Sequence, residues 1–297
     1  MLDIIKGAVS LGLLWSVMTI GVYITYRVLD IADLTVEGSI AMGAAIAAQA
    51  ITNGINPYIA TGISLLGGMA AGLVTGLLHT KLKIPALLSG ILTMIALYSI
   101  NLRILGKASL SLLRMETVYT PFERLGLDSS WAIIALGLIS VIIVICFLYW
   151  FFGTEIGCAI RATGNNPNMV RAQGINTNTM IIIGLVISNG LVALSGALIS
   201  QNQTFADVQM GTGSIVIGLA SVIIGEVLFG KRNFFLRLVS LAMGAITYRI
   251  IIALVLKMGM HSNDLKLFTA ITVAVALALP IIKAYINPPK IAIEEGE

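Results

Sequence analysis

The run Gly225-Glu226-Val227-Leu228-Phe229-Gly230-Lys231 has the spacing that opens a phosphate-binding loop, where glycines bare backbone N–H groups and a lysine reaches the terminal phosphates. Arg232 stands where such a loop needs Ser or Thr to hold magnesium, and the glycines fall on an apolar helix end, so no nucleotide site is expected here. His79 and His261 lie far apart and away from other ligand types, which predicts no metal site. Cys146 and Cys158 have no redox or metal spacing and read as free thiols. No Ser/His/Asp or paired-carboxylate pattern points to hydrolysis, so the chain is not expected to be an enzyme or to hold a cofactor. What remains are ionisable residues inside apolar runs, Glu226 and Arg249, which are costly there and need a partner or a task.

The elements that must position these residues are membrane helices. Of 297 residues, 58% are apolar and 11% charged. Mean hydropathy is +0.98, which excludes an ordinary soluble domain. Eight or nine helices of ~20 residues would use most of the chain and leave no separate catalytic core. The net charge of +4 records loop lysines and arginines and does not argue for nucleic acid. The predicted fold is all-α: a single polytopic domain over residues 1–297 with about nine transmembrane helices, eight to ten being the range.

Apolar runs fall at about 8–29, 38–52, 57–79, 84–104, 131–152, 180–200, 212–229, 234–256 and 265–286. The first is too long for a signal h-region and is expected to stay as a helix. The second is short and follows the polar stretch 30–37, which predicts a broken or re-entrant element buried in protein, because lipid cannot satisfy irregular backbone. Gly68, Gly72 and Gly76 recur at four-residue spacing and predict close packing within the chain rather than a dimer seam.

Lysine and arginine placement puts the 153–179 loop, the turn near 230 and the C-terminus in the cytoplasm, and the N-terminus outside. Segment 103–130 disagrees: it is basic through Arg103, Lys107, Arg114 and Arg124, yet falls outside, and Glu116, Glu123 and Asp128 offset only part of that charge. Docking of an external partner, through Arg114 and Arg124, resolves the tension.

Residues 38–45, Gly-Ser-Ile-Ala-Met-Gly-Ala-Ala, read like 213–220, Gly-Ser-Ile-Val-Ile-Gly-Leu-Ala, with five of eight positions identical, and Asp33 and Asp207 precede the two copies. The copies start from opposite sides of the membrane, the inverted arrangement with which many transporters line a central route; chance likeness between two small-residue helices is the alternative. Candidate route residues are Asp33, Thr35, Glu37, Ser39, Gln49, Asn189, Gln201, Asn202, Thr212 and Ser214, polar groups that face the interior of an apolar bundle, where interhelical hydrogen bonding explains them equally well. Arg249, about 22 Å into its helix at 1.5 Å per residue, is too deep to pair obviously with Glu226 and is a further route candidate.

The 153–179 loop has the grammar of a short helix: Asn166 is an N-cap, Pro167 fits the first turn and Gly174 can end the helix in left-handed geometry. Met169, Val170 and Arg171 supply a face. Two turns are unstable alone, so this helix packs either on its own chain or into a groove of a cytoplasmic partner.

Gly157-x-x-x-Arg161-Ala162-x-Gly164-x-Asn166 through Ala172-x-Gly174-Ile175 resembles the cytoplasmic loop of ABC-importer permeases of the branched-chain amino acid and ribose type, and Asp33-Leu34-Thr35-Val36-Glu37-Gly38 resembles their Asp-Leu-Ser-Val-Gly signature. Within that family the chain looks most like the subgroup paired with tryptophan- or tyrosine-type binding lipoproteins. Glu37 interrupts the signature and the long N-terminal extension of the ribose branch is not matched, which bears on substrate rather than family. The resemblance implies a homodimeric or heterodimeric permease of the bacterial cytoplasmic membrane. A separate ATPase holding ATP and magnesium would couple through the loop, and an external binding protein would deliver solute, by best guess an aromatic amino acid. Gly157, Arg161, Gly164, Asn166, Ala172 and Gly174 match the coupling motif; Pro167, Met169, Val170 and Arg171 join it through the capping argument. The alternatives are an ion- or proton-coupled carrier using the membrane charges directly, an ABC permease for a sugar or nucleoside, and a non-transporting assembly subunit.

Overall fold

The computed structural model describes residues 2–257 except 125, 127, 231 and 232, and beyond them only the isolated positions 267, 270, 271, 274 and 278. Apart from those isolated positions, the ninth apolar run at 265–286 lies outside the described residues. Among the described residues, six helices are long and apolar enough to span a bilayer. They are α1 (Leu2–Tyr23, extended by a π-helical turn, Ile24–Val28), α3 (Pro57–Thr80), α4 (Ala86–Leu105), α6 (Ser129–Phe152), α9 (Thr177–Gln203) and α11 (Phe234–Lys257). Two apolar helices are shorter, α2 (Thr35–Thr52, 18 residues) and α10 (Ser214–Phe229, 16 residues). The rest are short: α5 (Thr120–Arg124), α7 (Glu155–Asn165) and α8 (Pro167–Ala172).

Local chemistry sets the boundaries. Asn56 caps α3 by accepting the Tyr58 N–H at 2.9 Å, and Pro57 fills the first turn, where its missing N–H costs nothing. Asn176 caps α9 through the N–H groups of Asn178 and Thr179. Gly106 ends α4 at φ +68°, the left-handed geometry that a side chain disfavours.

Helix α9 is the axis of the bundle, packed along α3, α2 and α1. Small residues let backbones meet: a Cβ on Gly43 would collide with the Ala193 backbone, and Gly68 and Gly72 of α3 rest on the Asn189 and Leu185 carbonyls. The glycine spacing in α3 therefore serves packing within the chain, as expected from sequence. Cross-helix hydrogen bonds fix the direction of α1. Ser195 Oγ donates to the Leu14 carbonyl and Ser188 Oγ to that of Gly21, each at 2.8 Å, so α1 runs antiparallel to α9 and begins at the end where α9 finishes. That end also carries a feature the all-α expectation omits: strands β1 (Ser109–Ser111) and β2 (Phe205–Asp207) pair antiparallel, Leu110 opposite Ala206. By the charge pattern of its loops this is the outer end, and α7 and α8 stand at the other.

The broken element is real. After the π-helical turn the chain doubles back, and α2 starts beside Asn189, the middle of α9, then runs outward along it. Helix α10 starts beside Glu37, also at mid-depth, and runs inward along α1, passing Met18 and Val22 on its way to Arg27. The two copies of the sequence repeat are two half-helices of opposite direction whose N-termini meet inside the bundle.

Candidate functional site

The α2 junction is sealed by hydrogen bonds. Asp33 accepts the Thr35 N–H at 2.9 Å through Oδ1 and the Asn189 amide at 2.8 Å through Oδ2. Ser39 donates to Asn189 Oδ1 at 2.7 Å. Thr35 and Thr75 hydroxyls lie 2.7 Å apart, and Thr75 donates to Thr93 at 2.9 Å. Asp33, Thr35, Ser39 and Asn189 are 2% exposed or less. A carboxylate at the N-terminus of a half-helix is favoured by the helix dipole and the free N–H groups, which is why an aspartate sits there. Four of the route candidates thus meet as one network, closed to solvent in this conformation.

The α10 junction is different. Glu37 accepts the N–H of Gly213, 3.0 Å away, so the first half-helix caps the second. Gly213 takes φ +81° to turn the chain into α10. Beside this contact lies a cavity of about 450 Å³ whose polar lining includes Glu37, Tyr98, Ser99, Asn101 and Thr212, with Met94, Ile95 and Val208 on its apolar side. The Asn101 amide donates to the Gly38 carbonyl at 3.2 Å, while its buried Oδ1 accepts no hydrogen bond among the described residues. A buried acceptor left open, next to a carboxylate, suits a ligand that brings N–H or O–H donors. Glu37 and Thr212 were legible as polar groups in apolar surroundings. Tyr98, Ser99 and Asn101 were not, because they sit on α4, read from sequence only as a span.

Other route candidates fall elsewhere. Gln201 ties the outer segment down: it accepts the Val118 N–H at 3.0 Å and donates to Thr61 Oγ1 at 2.9 Å. Asn202 follows it, half-buried, at the outer end of α9, and Gln49 is half-buried in the outer half of α2. Ser214 is buried at the start of α10, and its hydroxyl has no hydrogen-bond partner among the described residues. Arg249 lies over the Trp15 ring, 4.1 Å from its centroid, a cation–π contact that stands apart from the Asp33 network. Glu226 has a partner that sequence reading did not name, Arg27 at 2.7 Å, brought within reach by the π-helical turn. His79 Nδ1 lies 2.8 Å from the Ile84 carbonyl, a structural contact, and His261 lies outside the described residues.

At the end opposite the strands α7 lies between α6 and α8, its start capped by Thr154, whose hydroxyl accepts the Gly157 N–H. Gly157 rests on the backbone of Phe151 and Phe152, and Gly164 on that of Val28 and Leu29, so these glycines are contact points within the chain. Arg161 stacks on Phe234, 5.2 Å from the ring centroid. The expected short helix is present as α8: Asn166 accepts the Met169 N–H at 3.1 Å, Pro167 fills the first turn, and Gly174, at φ +82°, follows the end. The structure divides the expected docking face. Val170 is fully buried and Arg171 Nε donates to Thr177 Oγ1 at 2.8 Å, whereas Met169 is 46% exposed and Ala172 is exposed. Val170 therefore serves packing within the chain, and Met169 is the apolar side chain free to meet a partner.

At the outer end Tyr119 donates to the Leu198 carbonyl at 2.9 Å, and burial pushes its phenol above the usual range. Arg124 is ion-paired with Glu116 at the surface, and Arg114 stands exposed at φ +66° between exposed Leu113 and Met115.

A bundle of spanning helices with two opposed half-helices meeting at mid-depth, and a helical foot at one end, is the membrane part of a transporter. Residues 4–284 match the family described as the permease component of the branched-chain amino acid transport system, and the chain belongs to that family. It is 44% identical over 267 residues, 90% of this chain and 88% of the relative, to a tyrosine transport system permease protein of Clostridioides difficile. It is 32% identical over 281 residues, 93% of this chain and 98% of the other, to an uncharacterised protein of Rickettsia prowazekii. Among solved structures, one described as a metal-chelate type ABC transporter in an inward-facing conformation shares the fold, with TM-score 0.50 and 13% identity over 95% of this chain and 85% of that one. The chain is an ABC transporter permease, a multi-pass protein of the cytoplasmic membrane and a transport component rather than an enzyme.

Proposed function

We propose that this permease imports an aromatic amino acid of the tyrosine type, powered by a separate ATPase that grips the α7–α8 foot and fed by an external binding protein seated on the outer 106–128 segment. A second permease subunit, identical or related, covers the flank beside α4. The observation that carries this reading is the cavity at the α10 junction. Glu37 offers a charge-assisted partner to a substrate ammonium, Asn101 Oδ1 an open acceptor for a phenol or amine, and Met94, Ile95 and Tyr98 an apolar wall for a ring. The volume of about 450 Å³ admits a solute of that size. The relative named for tyrosine transport supports the same choice.

Alternating access follows from the half-helices. They begin inside the bundle and pack on α9 and α1 through glycines, so a shift of the foot moves them as rigid pieces against the sealed junction. ATP must bind one arrangement of the complex more tightly than the other for this to drive transport.

The test is uptake into proteoliposomes holding the full chain, its ATPase and the binding protein. Radiolabelled tyrosine should accumulate only with internal ATP. Uptake that persists without ATP and collapses with an ion gradient would instead make the chain a secondary carrier.

A further inference from the structure

The α7 foot meets the bundle at a pocket of about 270 Å³, separate in its lining from the cavity at the α10 junction. Three arginines from three separate elements converge on it: Arg27 from the π-helical turn, Arg161 from α7 and Arg237 from the first turn of α11. Tyr23, Asn165 and Asn233 complete its polar wall, and among the described residues no carboxylate lines it. Glu226 pairs with Arg27 at 2.7 Å, and Tyr23 accepts from Arg237 at 3.3 Å, so two of the guanidinium groups are held in place. Among the described residues the lining carries three guanidinium groups and no carboxylate, which gives the pocket a positive character in a partly buried setting, where the field is stronger than at an open surface.

A second pocket adjoins it and shares Arg161 and Phe234. Its lining includes Tyr149 and Trp150, 55% and 66% exposed, and Phe235 packs edge-on against Tyr149 at 5.6 Å. These rings sit at the inner ends of α6 and α11, the depth at which amphipathic aromatics mark the membrane interface.

We infer that this double pocket binds one anionic glycerophospholipid, its phosphodiester held by Arg27, Arg161 and Arg237 and its glycerol and first acyl carbons lying along Phe234 and Trp150. Guanidinium groups match phosphate oxygens in charge and geometry. The aromatic pocket continuing outward from Arg161 favours a lipid over a soluble phosphate, which would fill only the arginine end. Basic pockets between helices on the cytoplasmic side are the setting in which such headgroups are recognised. Because Arg161 belongs to the foot, the bound lipid ties α7 to α1 and α11.

The experiment is native mass spectrometry of the delipidated full chain titrated with phosphatidylglycerol, phosphatidylcholine or inorganic phosphate. One phosphatidylglycerol should be retained at concentrations at least about tenfold below those needed for phosphatidylcholine. Combining Arg161→Gln with Arg237→Gln should erase that preference, and Arg161→Lys, which keeps the charge, should largely preserve it. Thermal unfolding in detergent checks that the variants are folded, and the headgroup preference of the unaltered chain is decisive without them. Equal retention of both lipids, or a preference unchanged in a folded double variant, overturns the proposal. So does displacement of phosphatidylglycerol by millimolar inorganic phosphate, which would make this a soluble-anion site.

Discussion

The two half-helix junctions have the same sequence logic and opposite surroundings. At the start of α2 an acidic side chain caps its own helix, and every polar group around it is matched: Asp33 by Thr35 and Asn189, Asn189 by Ser39, Thr35 by Thr75. At the start of α10 the cap comes from the other half-helix, through Glu37, and the neighbouring acceptor on Asn101 is left open beside a cavity. A satisfied buried network is rigid, while a buried acceptor without a partner beside a cavity favours a rearrangement that brings it a donor. On the function proposed above, the first junction is the fixed point of the bundle and the second is the part that handles solute.

Breaking the sealed junction should have the largest effect. Asn189→Leu leaves the Asp33 carboxylate without its amide partner in a buried site, which costs about 3 kcal/mol or more. Thermal unfolding in detergent should show a clear loss of stability, and an unaltered midpoint would mean the network contributes nothing. Next, Val170→Asp and Met169→Asp separate packing from docking at the foot. Val170→Asp places a charge in a fully buried position and should destabilise the chain, whereas Met169→Asp should leave stability intact and weaken co-purification of the ATPase. Identical behaviour of the pair would remove the distinction.

A subtler change falls on the open junction. Glu37→Gln retains an acceptor for the Gly213 N–H, so stability should change by less than about 0.5 kcal/mol. Losing one charge-assisted contact to a substrate ammonium costs about 1.5–3 kcal/mol, so KM for ATP-driven tyrosine uptake should rise at least about tenfold. The smallest effect is expected at the outer surface. Arg124 and Glu116 form an exposed pair worth less than about 1 kcal/mol, so Arg124→Ala should weaken binding-protein association only a few-fold, and less at high salt.

Much of this was legible in the sequence because it depends on local rules. The spans followed from apolar length, the α8 cap from Asn166-Pro167 and the terminating Gly174, and the opposite directions of α2 and α10 from the repeat of 38–45 in 213–220, whose copies were expected to start from opposite sides and instead both start at mid-depth. The broken start of α2 followed from polar residues that lipid could not have satisfied. What was not legible depends on which helix faces which. Arg27 lies 199 residues before Glu226 in sequence, and no spacing rule pairs them. Asn101 gains its role only because α4 lies against Gly38. Val170 and Met169 are adjacent apolar residues, and only packing decides which one is buried. The β1–β2 pair joins short segments nearly a hundred residues apart whose composition carries no strand signal.

Thiol accessibility tests the contrast between the junctions most directly. Cys146 and Cys158 are free and exposed, so both would first be replaced by serine. Thr212→Cys and Ser39→Cys, introduced singly into the assembled importer, would then be treated with a charged, water-soluble thiol reagent during ATP turnover. The account predicts that Thr212→Cys is modified, that substrate slows its modification and that the modification blocks uptake, while Ser39→Cys stays unreactive. Rapid modification of Ser39→Cys with Thr212→Cys inert would place the route at the other junction and contradict the account.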